Sequence, residues 1–133
     1  MKKIFSHKLR VRYEETDRMG VVYYGNYLIW LEIARTEMFR EIGMPYTQLE
    51  KRGMYLMVVG CEIKYRSPVT YDDLIEIRTE LSGLKNTSIG FSYEIFLDNT
   101  LVARASTAHA FTDTLRRPLK IPEDVRKVLS GLV

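Results

Sequence analysis

The sequence predicts an α+β fold in which a five-stranded, strongly curved antiparallel sheet wraps around one long central helix. Three observations carry that expectation. Five stretches read as strands, most of them by strict alternation of apolar and polar residues. One stretch, GVVYYGNYLIWLEIAR over residues 20–35, runs into a helix whose first half is apolar nearly all round and so needs cover on more than one side. The last four strands are joined by short turns, which makes neighbours antiparallel and leaves packing against the helix as the economical arrangement.

Residues 5–13 alternate, with Phe5, His7, Leu9, Val11 and Tyr13 on one face and Lys8, Arg10 and Arg12 on the other, which predicts a strand with one solvated side. Residues 14–21 hold charge, Thr, Asp and Gly, the makings of a loop. The helix is expected from Val22–Asn26 to Ile42. Its stripe of Tyr27, Leu31, Ala34, Met38 and Ile42 is spaced four, three, four and four, and Gly43 stands at C′ to end it. MPYTQLEKRG over 44–53 predicts a short second helix opening at Pro45 and stopping at Gly53. Strands follow at 55–65, at 74–82 (Ile75, Ile77 and Leu81 inward), at 89–97 (Ile89, Phe91, Tyr93, Ile95 and Leu97 inward) and at 101–112. Turns at 67–73, 84–86 and 98–100 separate them, the last a tight hairpin signal in DNT. A short terminal helix is expected over 122–131.

At 133 residues, one domain spanning 1–133 is expected, long enough to bury a substantial core. A hydrophobic content of 46% and a charged content of 28% argue against disorder. The net charge of +3 suits an anionic small molecule better than a nucleic-acid backbone. Cys61 is the only cysteine, which excludes an internal disulfide and fits a reducing compartment. The N-terminus has two lysines but no apolar stretch of the secretory kind, and Glu32 and Arg35 interrupt the longest apolar run. A cytoplasmic protein without integral membrane association is expected.

Several chemistries lack support. No G-x-G-x-x-G, G-x-x-x-x-G-K-[ST] or G-x-S-x-G is present. His7 and His109 are the only histidines. Both fall in predicted strands without metal-ligand spacing, so no metal site is expected. What remains is the segment from Asp17 to Tyr24. The start of an apolar helix leaves amide N–H groups without intrahelical partners, and with the helix dipole they favour negative charge, including the oxyanion of an acyl-transfer transition state. A carboxylate a few residues upstream supplies a nucleophile or general base. The same Asp equally serves as a turn residue that complements the dipole. Spacing alone leaves both readings open.

VRYEETDRMGVVYYGNYLIWLEIARTEMFREIG, residues 11–43, resembles the signature segment of hotdog-fold acyl-CoA thioesterases of the 4-hydroxybenzoyl-CoA thioesterase and YbgC-like group. The pattern Y-x-x-T-D-x-x-G-V-V-Y-x-x-x-Y-L-x-x-x-E-x-A-R is matched from Tyr13 to Arg35, and KYRSPVTYDDLIEIRT (64–79) and the strand order are also similar to the family. The resemblance implies a hotdog fold and hydrolysis of an acyl-CoA thioester without a cofactor. It implies Asp17 as the catalytic carboxylate, the backbone N–H of Tyr24 as the group polarising the thioester carbonyl, and Tyr13 near the site. It further implies protomers paired edge to edge as a homodimer or homotetramer. Many YbgC-like members carry His where this chain has Tyr24, whereas the hydroxybenzoyl type carries Tyr, so the subfamily and the acyl group stay open. Hotdog dehydratases need a histidine in the active-site segment, and none lies between His7 and His109. A non-catalytic module binding acyl-CoA or acyl-carrier protein is the alternative on the same fold. Arg66, Arg116, Arg117 and Lys120 are candidate partners for coenzyme A phosphates.

Overall fold

The computed structural model describes residues 2–133. Its elements are β1 (Ile4–Arg10), a 3-10 turn (Tyr13–Glu15), α1 (Asn26–Glu41), α2 (Tyr46–Lys51), β2 (Tyr55–Tyr65), β3 (Leu74–Leu84), β4 (Ser88–Leu97), β5 (Thr100–Thr112) and α3 (Glu123–Ser130). The five strands form one antiparallel sheet in the order β1-β3-β4-β5-β2, so β1 and β2 are its edges. The predicted α+β architecture, a curved sheet with one long helix, is the one observed.

The central strands bury the faces their alternation predicts. Ile75, Ile77 and Leu81 of β3 and Ile89, Phe91, Tyr93 and Ile95 of β4 are buried, with Thr79 joining them. The hairpin between β4 and β5 turns on Asp98 and Asn99, both at positive φ (47° and 68°), the backbone that a tight two-residue turn between twisted strands requires. Against this face lie Tyr27, Trp30, Leu31, Ala34, Met38 and Phe39 of α1. Full burial of side chains of this size contributes roughly 1.5–3 kcal/mol each. Trp30 and Phe39, outside the predicted stripe, are among the largest fully buried groups, while Ile42 is only partly buried. Gly43 at φ 79° ends the helix in the left-handed conformation at C′.

One expectation needs correction. The first strand ends at Arg10 rather than Tyr13. Val11 still exchanges backbone hydrogen bonds with Asp72 and Asp73, but the Glu15 carboxylate then accepts the N–H of Arg12 and folds the chain into the 3-10 turn. Tyr13 consequently leaves the strand face and is 76% exposed. Strand β2 keeps its expected span of 55–65 but has no single buried face. A bulge between Val58 and Gly60 breaks its alternation, and Met57, Val58 and Val59 are all exposed on this edge strand. Leu28 and Ile29 on α1 are likewise half exposed within one chain.

Candidate active site

Asp17 opens a tight turn. Its backbone carbonyl accepts the N–H of Gly20 (3.0 Å), its N–H donates to Val21 (2.9 Å), and its Oδ1 accepts the N–H of Met19 (2.8 Å). Gly20 closes the turn at φ 80°, a conformation that favours glycine. One carboxylate oxygen is thus committed to the loop. Oδ2 has no protein donor among the described residues, and the side chain is exposed.

From this turn the chain is pinned on both sides on its way to α1. Val22 donates to the carbonyl of Val69 (2.8 Å), and Val21 bridges Thr70. The carbonyl of Glu15 accepts both the N–H of Tyr23 (2.9 Å) and Nδ2 of Asn26 (2.8 Å). The Glu15 side chain is buried, with Oε1 on the Arg12 N–H (2.8 Å) and Oε2 on Trp30 Nε1 (2.8 Å). One residue therefore ties the 3-10 turn, the catalytic-loop candidate and the first turns of α1 together. Sequence reasoning passed over Glu15 as loop charge. No local signal marked it, because Arg12 three residues earlier has no side-chain acceptor and the capping-box signature is missing.

The start of α1 is left open. Its N-cap is Gly25, which has no side chain to satisfy the first amides. Asn26, Tyr27 and Leu28 donate backward to Tyr23, Tyr24 and Gly25, but the N–H groups of Tyr24 and Gly25 meet no acceptor among the described residues. Two adjacent donors at the positive end of a sixteen-residue helix are available to an incoming oxygen.

Tyrosines build the surroundings. Tyr65, the last residue of β2, donates its hydroxyl to the carbonyl of Tyr24 (2.9 Å). Its ring stands edge-on to Tyr27 at 4.8 Å and to Tyr24 at 6.5 Å. Burial and the neighbouring Tyr65 push the Tyr27 phenol up to about 12. The Tyr23 phenol is also raised, chiefly by the Tyr24 phenol beside it and in smaller part by the negative Asp17. Beside Tyr24, Tyr27 and Tyr65 lies an open cleft of about 300 Å3 that Arg66 also lines. The structure therefore brings Asp17 and Tyr24 onto one loop. Tyr13 instead points its ring edge-on at Tyr71, 5.5 Å away.

Of the basic candidates, Arg66 borders this cleft, whereas Arg117 is engaged by Asp113 at 2.9 Å. Asp113 also accepts the N–H groups of Leu115 and Arg117, and these bonds hold its carboxyl below the usual range. Both histidines lie in strands, and among the described residues no cluster of three or more His, Cys, Asp and Glu could hold a metal ion.

The chain matches the model of the thioesterase-like superfamily over residues 11–129. It is 33% identical over 130 residues to an acyl-CoA thioesterase YbgC of Haemophilus influenzae, covering 96% of each chain. Among solved structures it is similar to a hypothetical protein of Thermus thermophilus (34% identity, TM-score 0.94, 98% of each chain). It is also similar to the 4-hydroxybenzoyl-CoA thioesterase of a Pseudomonas species (25% identity, TM-score 0.84, 94% of this chain and 98% of that one).

Proposed function

This chain belongs to the thioesterase-like superfamily, and from that premise we propose that it hydrolyses acyl-CoA thioesters to a free acid and coenzyme A. The relatives named above support thioester hydrolysis as its reaction class. The observation that carries the reading further is the pair of N–H groups at Tyr24 and Gly25, unpartnered among the described residues, at the open start of α1 and a few residues from Asp17.

In this reading the thioester carbonyl oxygen seats on the Tyr24 N–H. That donor stabilises the oxyanion as the carbonyl carbon becomes tetrahedral. The free Oδ2 of Asp17 then acts in one of two ways. As a general base it takes a proton from water, whose oxygen attacks the carbonyl carbon. As a nucleophile it attacks directly, expels the thiolate, and leaves an anhydride that water cleaves. Either route ends with the acid and the protonated thiol, and neither requires a cofactor. Tyr65, bonded to the Tyr24 carbonyl, holds the next peptide, the one that carries the neighbouring Gly25 N–H.

The proposal extends to assembly. β1 is short and carries Lys8 and Arg10, a protected edge, whereas β2 is eleven residues long and exposes Val58 and Val59. A second copy paired along β2 gives a homodimer, or a homotetramer by association of two such pairs. Residues 1–133 then act as one thioesterase domain, and the lone Cys61 fits a cytoplasmic setting.

A panel of aromatic and aliphatic acyl-CoA thioesters, assayed with a thiol-trapping dye, tests the activity. Release of coenzyme A from at least one is expected. Binding without thiol release would identify a non-catalytic module instead.

A further inference from the structure

A second cavity, of about 200 Å3, lies away from the Asp17 loop. It opens between the middle of α1, the first residue of α2, β2 and β5. Phe39 and Leu56 give it apolar walls, Arg35, Tyr46 and His109 give it polar ones, and Glu32 stands exposed at its rim.

The hydrogen bonds around it form a chain. Arg35 Nη1 donates to Tyr93 Oη at 3.1 Å. Tyr93 Oη and Thr107 Oγ1 share a hydrogen bond of 2.6 Å, and Thr107 Oγ1 and His109 Nε2 share another of 2.8 Å. The other ring nitrogen of His109, Nδ1, is buried and meets no partner among the described residues. Burial first, and the Arg35 charge second, push the imidazole down to about 4, so the neutral form holds at ordinary pH. Tyr46 Oη accepts the N–H of Leu56 (2.9 Å) and gives its own proton to nothing among the described residues. Arg35 forms no ion pair among them either.

Among the described residues, the cavity thus joins a guanidinium without an ion pair, a phenol with an unused proton and an imidazole nitrogen without a partner. We propose that it is a binding site for the carboxylate of a small organic acid, with Arg35 and Tyr46 donating to the two oxygens. A carboxylate supplies the missing negative charge and accepts paired donors from arginine. Phe39 and Leu56 meet the apolar body of the acid, and the volume limits that body to a short chain or one ring. Glu32 opposes an anion but sits in water, where its field is screened.

The carboxylate has two possible sources. One is a free acid. The other is the far end of an acyl group whose thioester lies at Tyr24, with Leu28 and Glu32 leading along one side of α1 to Arg35. This second source rests on the acyl-CoA reading above; the first does not.

Titration of sodium benzoate into the purified protein, followed by calorimetry and by the ring nitrogen signals of His109, tests the site. Saturable binding is expected that sodium chloride at equal concentration does not reproduce. Arg35→Met should weaken it by tenfold or more, Arg35→Lys should restore part of it, and Tyr46→Phe should weaken it several-fold. The turnover of glutaryl-CoA relative to butyryl-CoA separates the sources. A preference for glutaryl-CoA that disappears in Arg35→Met assigns the site to the acyl end, and an unchanged ratio beside lost benzoate binding assigns it to a free acid. If Arg35→Met fails to fold, Tyr46→Phe carries both measurements. No benzoate binding at 10 mM together with a substrate ratio indifferent to Arg35 and Tyr46 would overturn the proposal. Should no acyl-CoA be hydrolysed, the benzoate titration alone still decides it.

Discussion

Glu15 Oε2 accepts the indole N–H of Trp30 at 2.8 Å, inside the core and across fifteen residues of sequence. Its other oxygen holds the N–H of Arg12, so one buried carboxylate satisfies two donors that water cannot reach easily. Glu15→Gln keeps the shape but turns an amide NH2 toward one of those donors. An unsatisfied buried group costs about 1–3 kcal/mol, and the urea midpoint should fall accordingly at unchanged slope. Turnover should fall too, since the same residue positions the Asp17 loop. Glu15→Gln with wild-type midpoint and rate would show that the loop is held without it.

Asp17→Asn removes the charge and basicity while preserving the Oδ1 acceptor for Met19. Substrate should bind with near-normal KM. Loss of a general base or nucleophile costs on the order of a hundredfold or more in kcat. Steady-state kinetics on the best acyl-CoA substrate make the check, and a near wild-type kcat would remove Asp17 from the mechanism.

At Tyr24 the amide and the phenol can be separated. Tyr24→Phe retains the N–H and should reduce turnover less than about tenfold. Tyr24→Pro deletes a donor that bonds nothing else among the described residues, at a position just ahead of the Gly25 N-cap, where no helical hydrogen bond is lost. Loss of one oxyanion donor costs roughly 3–4 kcal/mol, at least a hundredfold in rate. The proline variant should be nearly inactive with an unchanged circular dichroism spectrum. Equal loss in Tyr24→Phe would transfer the role to the hydroxyl.

Acid stability should report on His109. Its ordinary pKa of 6.5 applies to the unfolded chain, while in the fold burial holds it at about 4. Between those values the unfolded chain binds more protons, so this group's contribution is intact above about 6.5 and is lost as pH falls toward about 4. The full span is worth about 3 kcal/mol. Denaturation midpoints measured from pH 7 to pH 4 should fall less steeply in His109→Gln than in wild type.

Light scattering at micromolar concentration should give twice or four times the chain mass. Val59→Lys, on the exposed bulge of β2, should shift the protein toward monomer while leaving its circular dichroism intact. A monomer mass for the wild type would refute the assembly.

The fold was legible wherever one periodicity dominated a segment. β3 and β4 announce themselves because a single face of each meets the core and apolar spacing records that face, whereas α1 announces itself by its length and by apolar residues on several sides. β2 keeps its predicted span of 55–65, yet its burial was not legible, because a bulge and an edge position leave both faces open. Tyr13 carries the right alternation for β1 and still leaves it. A side chain two residues on, Glu15, captures the Arg12 N–H, and strand propensity does not register such a side-chain bond. At the candidate site the sequence marks Asp17 and the helix start. The Arg35–Tyr93–Thr107–His109 relay joins residues from three elements, and no local motif joins them.

Strand β1 closes the sheet against β3, pairing Ile4 with Glu80 across the whole span of α1, α2 and β2. Closing a loop of that length is entropically expensive before any contact repays it, and it sets a slow clock for folding. The β3–β4–β5–β2 meander can form without β1, because its neighbours follow one another through short turns apart from the β2–β5 pairing. The N-terminal strand and the turn hung from it are then the natural last pieces to dock. They carry Asp17 with them, so an unfinished chain can hold most of its hydrogen-bonded sheet before its chemical apparatus exists.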